Sequence, residues 1–153
     1  MMFATEAEFV QDYIRRTRYN YECLKKGPYE VTALINSAVG LLMIPKERCW
    51  RAISDDMIEP ELLEQLKSSV IENTYGSELD LAEIARHLRN AIAHARLGFE
   101  AEKPPAKKEP LDIKFAVFED KRGNEHIKIK MDVDLLESSF IAFSEAIEKL
   151  NTK

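Results

Sequence analysis

Apolar residues along this chain fall mostly at helical spacing, and in one stretch they alternate instead. Thr5-Glu6-Ala7-Glu8 has the form of a capping box, with Thr5 as the cap and Glu8 reaching back to it. The helix that follows carries Phe9, Tyr13, Ile14 and Tyr21 among its apolar positions and is predicted to reach about Lys26, where Gly27-Pro28 stops it. A second helix is predicted over Tyr29 to Met43, closed by Pro45. Its apolar residues, from Val31 to Met43, go almost all the way round, the pattern of a helix central in a bundle. Ser54 to Asn73 reads as a helical region broken at Pro60, with Leu62, Leu63, Leu66, Val70 and Ile71 as its stripe. Ser77 is the predicted cap of a fourth helix that reaches about Leu97, with Gly98 as its stop.

Ala101 to Pro110 contains three prolines and reads as a linker or long exposed loop. The period then changes. Leu111, Ile113, Phe115 and Val117 alternate, Asp120 to Asn124 forms a glycine-containing turn, and Ile127, Ile129 and Met131 alternate back, which predicts a hairpin. A last helix, from about Asp134 to Leu150, carries Leu135, Leu136, Phe140, Phe143, Ile147 and Leu150. The expected fold is mainly α: an antiparallel bundle of about five helices with a small C-terminal β-hairpin before the last one. Residues 1–100 would form the helical core of a single domain covering 1–153.

Composition narrows this further. Five glycines and six prolines in 153 residues favour helices over a turn-dense β fold, and the length suits one domain. The two cysteines, Cys23 and Cys49, have no metal-site or redox spacing, and nothing indicates a disulfide scaffold. The N-terminus lacks a signal-peptide pattern, and the apolar run Ala38 to Ile44 is far short of the ~20 residues a membrane helix needs. A soluble, cytoplasmic protein with no membrane association is expected. A net charge of −5 argues against general nucleic-acid binding through overall charge. Residues 86 to 96 nevertheless hold Arg86, His87, Arg89, His94 and Arg96 and no acid, a local cationic segment on an acidic chain.

At ~100° per residue, Leu81, Ile84, Ala85, Leu88, Ala91, Ile92 and Ala95 form the apolar stripe of the fourth helix. Glu83, Arg86, His87, Asn90 and His94 fall on the opposite face, and Arg89 sits on one shoulder, about 140° from His94. On spacing alone this is most often a solvated face. A metal site is not expected: His87 and His94 lie roughly 10.5 Å apart along the axis, too far to share one ion, and Glu83 with His87 is more often a surface pair. The acids Asp55, Asp56, Glu59, Glu61 and Glu64 complement a helix start, Trp50 reads as a packing anchor, and His126 as an exposed strand residue. Arg16, Asn20, Asn36 and Ser37 lie where helices should pack. They predict an interhelical hydrogen-bond network, with Arg16 and Asn36 as candidate supports beneath the fourth helix.

Arg89-Asn90-Ala91-Ile92-Ala93-His94 resembles the signature of HEPN ribonucleases, an arginine followed by a polar residue and, shortly after, a histidine near the end of a bundle helix. Phe9-Val10, Tyr13, Arg16-Thr17 and Asn20 resemble a plasmid-borne HEPN nuclease branch more specifically. So do Tyr29-Glu30-Val31-Thr32, Leu34-Ile35-Asn36-Ser37, Gly40-Leu41-Leu42, Pro45-Lys46-Glu47 and Arg86-His87-Leu88-Arg89-Asn90. The likeness covers about residues 6 to 100. A HEPN branch paired with nucleotidyltransferase antitoxins carries a tyrosine two residues after the motif histidine, where it is adenylylated. Arg96 stands there in this chain, which argues against that mode of control.

The resemblance implies a metal-independent endoribonuclease without a cofactor, acting on RNA through a composite site in a homodimer. It also implies a toxin or host-defence role, which admits an antitoxin protein as a partner. Arg89 and His94 would be catalytic, Asn90 would position the imidazole, and Arg86, His87 and Arg96 would contact substrate. The chemistry suits the residues: histidine titrates near neutrality, and arginine offers fixed donors to phosphate. The alternative is a non-catalytic HEPN module that binds RNA, a nucleotide or a partner protein through the same face.

Overall fold

The computed structural model describes residues 5–27, 29–45, 47–76, 78–101 and 113–150. Helix α1 spans Glu6–Leu24 and begins with the expected capping box: Thr5 accepts from the Glu8 amide, and Glu8 accepts from the Thr5 amide. Helix α2 spans Glu30–Met43 and the short α3 Glu47–Arg51. A 3-10 turn at Asp55–Met57 leads to α4 at Pro60–Ser68, which has Pro60 in its first turn, where a missing N–H removes no bond. Helix α5 spans Leu81–Ala93 and α6 Val133–Leu150.

Four strands complete the structure: β1 at Val70–Asn73, β2 at Leu97–Ala101, β3 at Ile113–Arg122 and β4 at Glu125–Asp132. They form one antiparallel sheet in the order β1-β4-β3-β2. The expected bundle with a small hairpin is therefore corrected to six helices on a four-stranded antiparallel sheet among the described residues. The hairpin β3–β4 is present, but both of its outer edges are paired. Residues 70–73, expected to be helical, form β1, and Gly98, expected to stop a helix, lies inside β2. Neither short segment has a strand pattern of its own. The hairpin offers rows of unpaired N–H and C=O groups, and edge pairing satisfies them.

Strand β3 faces the other way from its apparent alternation. Ala116, Phe118 and Asp120 of β3 are buried, while Ile113, Phe115 and Val117 are half-exposed. Opposite them Met131, Ile129 and Ile127 of β4 are buried as expected, paired with Ala116, Phe118 and Asp120 in that order. Side chains alternate strictly along a strand, so pairing with β4 decides which half of β3 enters the core.

The inner face of the sheet packs against α5 and α6. Trp50 is a buried anchor, edge-on to Phe143 with ring centroids 5.7 Å apart. Helix α2 packs against α1, α5 and α6, burying Leu34, Ala38, Leu41 and Leu42 and leaving Met43 exposed. At Gly40 the α1 side chain Tyr13 crosses α2 so closely that a Cβ would collide with its hydroxyl. Among the described residues the polar ties of α1 run to α6, through Arg18 to Glu148 and Tyr21 to Glu137. Both cysteines are free thiols. No helix among the described residues is long and apolar enough to cross a membrane. Ser77 and the linker over 102–110 lie outside the described residues.

Candidate active site at the end of helix α5

Helix α5 is held at both ends by its own sequence. Asp80 caps it, its carboxylate accepting from the Glu83 amide at 2.8 Å, while Asp55 accepts from the Leu81 amide at 2.8 Å. At the other end His94 is the C-cap, and Ala95 takes a left-handed conformation at φ 53°. The Arg96 amide donates to the Ala91 carbonyl at 2.8 Å and the Ala95 amide to the Ile92 carbonyl at 3.0 Å, a Schellman closure. The helix thus ends at Ala93, earlier than its period suggests, and the chain turns at once into β2. The Arg96 carbonyl accepts from the Glu119 amide at 3.0 Å, which fastens the motif end to β3.

The apolar stripe is buried as expected at Leu81, Ile84, Ala85, Leu88 and Ala91. The opposite face is not solvated. His87 is only 1% exposed, and its Nδ1 lies 2.7 Å from Oδ2 of Asp120, itself 5% exposed on β3. Asn90 donates from Nδ2 to the same oxygen at 3.1 Å. Tyr75, in the connection from β1 to α5, covers the His87 ring with centroids 4.8 Å apart. Arg86 binds Glu83 at 2.7 Å and lies 3.3 Å from His87 Nε2. The hydrogen bond from Arg86 holds the Glu83 carboxyl below its ordinary value, against burial, which raises it. Burial first, and then the Asp120 carboxylate, push the Tyr75 phenol up.

The candidate site residues thus separate into groups. Arg89 and Asn90 lie in the last turns of α5, and His94 is its C-cap. His94 is exposed and Arg89 half-buried, and the buried Nε of Arg89 has no hydrogen-bond partner among the described residues. Arg96 is exposed on the far side of the turn, its guanidinium donating to the Lys121 carbonyl at 3.3 Å. It lines an open hollow with Gly98, Glu119 and Lys121. Arg86 is paired with Glu83 and keeps 37% of its side chain exposed, whereas His87 is enclosed. Arg16 is an exposed side chain paired with Asp12 at 2.6 Å, and Asn36 is exposed on α2, so neither lies buried beneath α5. His126 on β4 pairs with Glu72 of β1. No group of acids, histidines and cysteines among the described residues is arranged to hold a metal ion.

A family model for HEPN pEK499 p136 matches residues 2–153, nearly the whole chain and including the hairpin and last helix. The chain belongs to this HEPN family. No curated protein and no solved structure matches it.

Two residues at the heart of this HEPN site are not evident from the sequence pattern. The pattern starts a turn at Asp120, yet this residue is the last inward position of β3 and binds two motif-region side chains. A signal for it exists: an acid in step with Ala116 and Phe118, at the spacing of one strand face. Tyr75 has no such signal, because only the path of the connection brings it over His87.

Proposed function

We propose that this HEPN protein is a metal-independent endoribonuclease whose active site is completed by a second copy of the chain. The observation that carries the reading lies in the last turns of α5: an exposed imidazole, His94, and five residues before it a half-buried guanidinium, Arg89, whose Nε–H lacks an acceptor among the described residues. A guanidinium stays charged, and its planar donors suit the oxygens of a phosphate. With His87 enclosed, each protomer offers one histidine at this surface, whereas the reaction needs two proton carriers.

In the proposed reaction the 2′-oxygen of a ribose attacks the adjacent phosphorus while one His94 takes its proton. The bond from phosphorus to the 5′-oxygen breaks, and the His94 of the second copy protonates the departing oxygen. Arg89 neutralises the charge that builds on the phosphorane. The products are a 2′,3′-cyclic phosphate and a 5′-hydroxyl, and DNA is spared because it has no 2′-hydroxyl. A toxin or host-defence role, held in check by an antitoxin protein, fits such an activity.

Purified protein, incubated with end-labelled RNA and DNA in excess chelator, tests this. Cleavage of RNA alone is expected, with both Arg89→Ala and His94→Ala lowering it by about a hundredfold or more. Robust cleavage by both variants refutes the proposal. The binding-module reading gains from the same geometry only if the protein is monomeric, since one histidine at the surface is then all the site has. Mass in solution decides that, and a strict monomer that binds RNA without cutting it would replace the nuclease by a binding module.

A further inference from the structure

We propose that Asp120 is the positioning residue of this site, a β3 carboxylate that fixes the orientation of the motif amide Asn90 by binding it and His87 on one oxygen. The inference rests on the nuclease reading only for its kinetic test.

Hydrogen-bond roles here follow from what each group can do. A carboxylate only accepts, so the Asn90 amide must turn its NH2 toward Asp120, and its Oδ1 then points away from that carboxylate. The His87 ring lies beside this carboxylate, its Nδ1 2.7 Å from Asp120 and its Nε2 3.3 Å from the Arg86 guanidinium, and Tyr75 covers it.

One consequence is a continuous chain of side chains, Glu83, Arg86, His87, Asp120 and Asn90, running along the covered face of α5 to its motif end. Its only member from outside the helix is Asp120. Asn90 is half-buried on a helix one turn before its end, and without Asp120 its amide could rotate to present either atom. With Asp120 in place, Asn90 presents an acceptor. That acceptor is the group needed to hold the N–H side of the His94 ring, or a ribose hydroxyl, in one orientation during reaction. His87 is the companion that keeps the carboxylate itself from turning. Asp120 touches neither substrate nor reacting atoms on this account and acts through Asn90.

Asp120→Ala, Asp120→Asn, Asn90→Ala and the Asp120→Ala/Asn90→Ala double variant test the proposal on a short labelled RNA. Asp120→Ala should lower kcat about tenfold or more while KM changes by less than about threefold, the pattern of lost positioning. Asp120→Asn keeps an acceptor oxygen and should recover kcat to within about threefold, and Asp120→Leu, which has no acceptor but keeps most of the volume, takes the place of the alanine variant if that does not fold. In the Asn90→Ala background, removing Asp120 should lower kcat by less than about twofold, because a residue acting through another has nothing left to act on. Multiplicative losses in the double variant, or full kcat in folded Asp120→Ala, overturn the proposal. If the wild-type protein cuts no RNA, the nuclease reading fails by itself, and the side-chain amide resonances of Asn90 decide this one. Their shift toward free-amide values in Asp120→Ala or Asp120→Leu, with Asp120→Asn staying near wild type, supports it, and resonances unchanged in the variants that lack an acceptor overturn it.

Discussion

Replacing His87 by leucine removes the donor that Asp120 relies on while keeping most of the volume that α5 needs there. The carboxylate, 5% exposed, would be left with Asn90 at 3.1 Å as its remaining partner among the described residues. Breaking a buried pair by deleting one side costs about 3–5 kcal/mol, because a charge stays behind in a poor solvent. Loss of the Tyr75 contact adds ~0.5–1 kcal/mol, and the greater apolar surface of leucine returns ~1 kcal/mol. The net expectation is a loss of about 3 kcal/mol, or roughly 6–12 °C in Tm for a chain of this size. The double variant His87→Leu/Asp120→Leu removes the stranded charge as well. It should be no less stable than His87→Leu alone, giving a coupling of about 2 kcal/mol between the two sites. Urea unfolding followed by far-UV circular dichroism, where helices dominate the signal, measures all of this through the midpoint at constant slope. A His87→Leu protein within about 0.5 kcal/mol of wild type would refute the reasoning, as would single losses that simply add in the double variant.

Two more outcomes follow from particular backbone and side-chain states. Ala95 holds φ at 53°, where a Cβ crowds the backbone, so Ala95→Gly should raise stability by about 0.5–1 kcal/mol despite the greater freedom of glycine in the unfolded chain, and a lowered urea midpoint would contradict the Schellman closure. The Tyr21 phenol is held well above its ordinary value of 10.0 by burial first and then by its hydrogen bond to Glu137. The native state keeps this proton longer than the unfolded chain does, so stability should be level below that value. Above it, stability should fall by about 1.4 kcal/mol per pH unit. Tyr21→Phe should be less stable by about 1–2 kcal/mol at neutral pH and should lose that alkaline slope, as unfolding from about pH 8 to 11 would reveal, and an undiminished slope would remove Tyr21 as its source.

Much of the site is legible in the sequence because the residues involved lie within a turn or two of each other. Arg89, Asn90 and His94 share one helix, the stripe from Leu81 to Ala91 is buried as its period requires, and the Thr5 capping box closes as its spacing requires. Within the site and the first two helices, the departures concern what faces a helix. His87 falls on a face that its period assigns to solvent, because nothing local says that a strand 33 residues later will cover it. Arg16 and Asn36 are polar residues in helices expected to pack together, which suggests an internal network, yet the ties form through Arg18 and Tyr21 to α6.

The amino-acid order alone therefore determined the long helices, the Thr5 cap, the hairpin and the motif, since each depends on contacts among near neighbours. Tertiary structure decided that two short, patternless segments would become strands, which half of β3 would enter the core, and that Asp120 would meet His87 and Asn90. These outcomes depend on unpaired backbone groups and buried polar atoms finding partners far away along the chain, a requirement that no local period records.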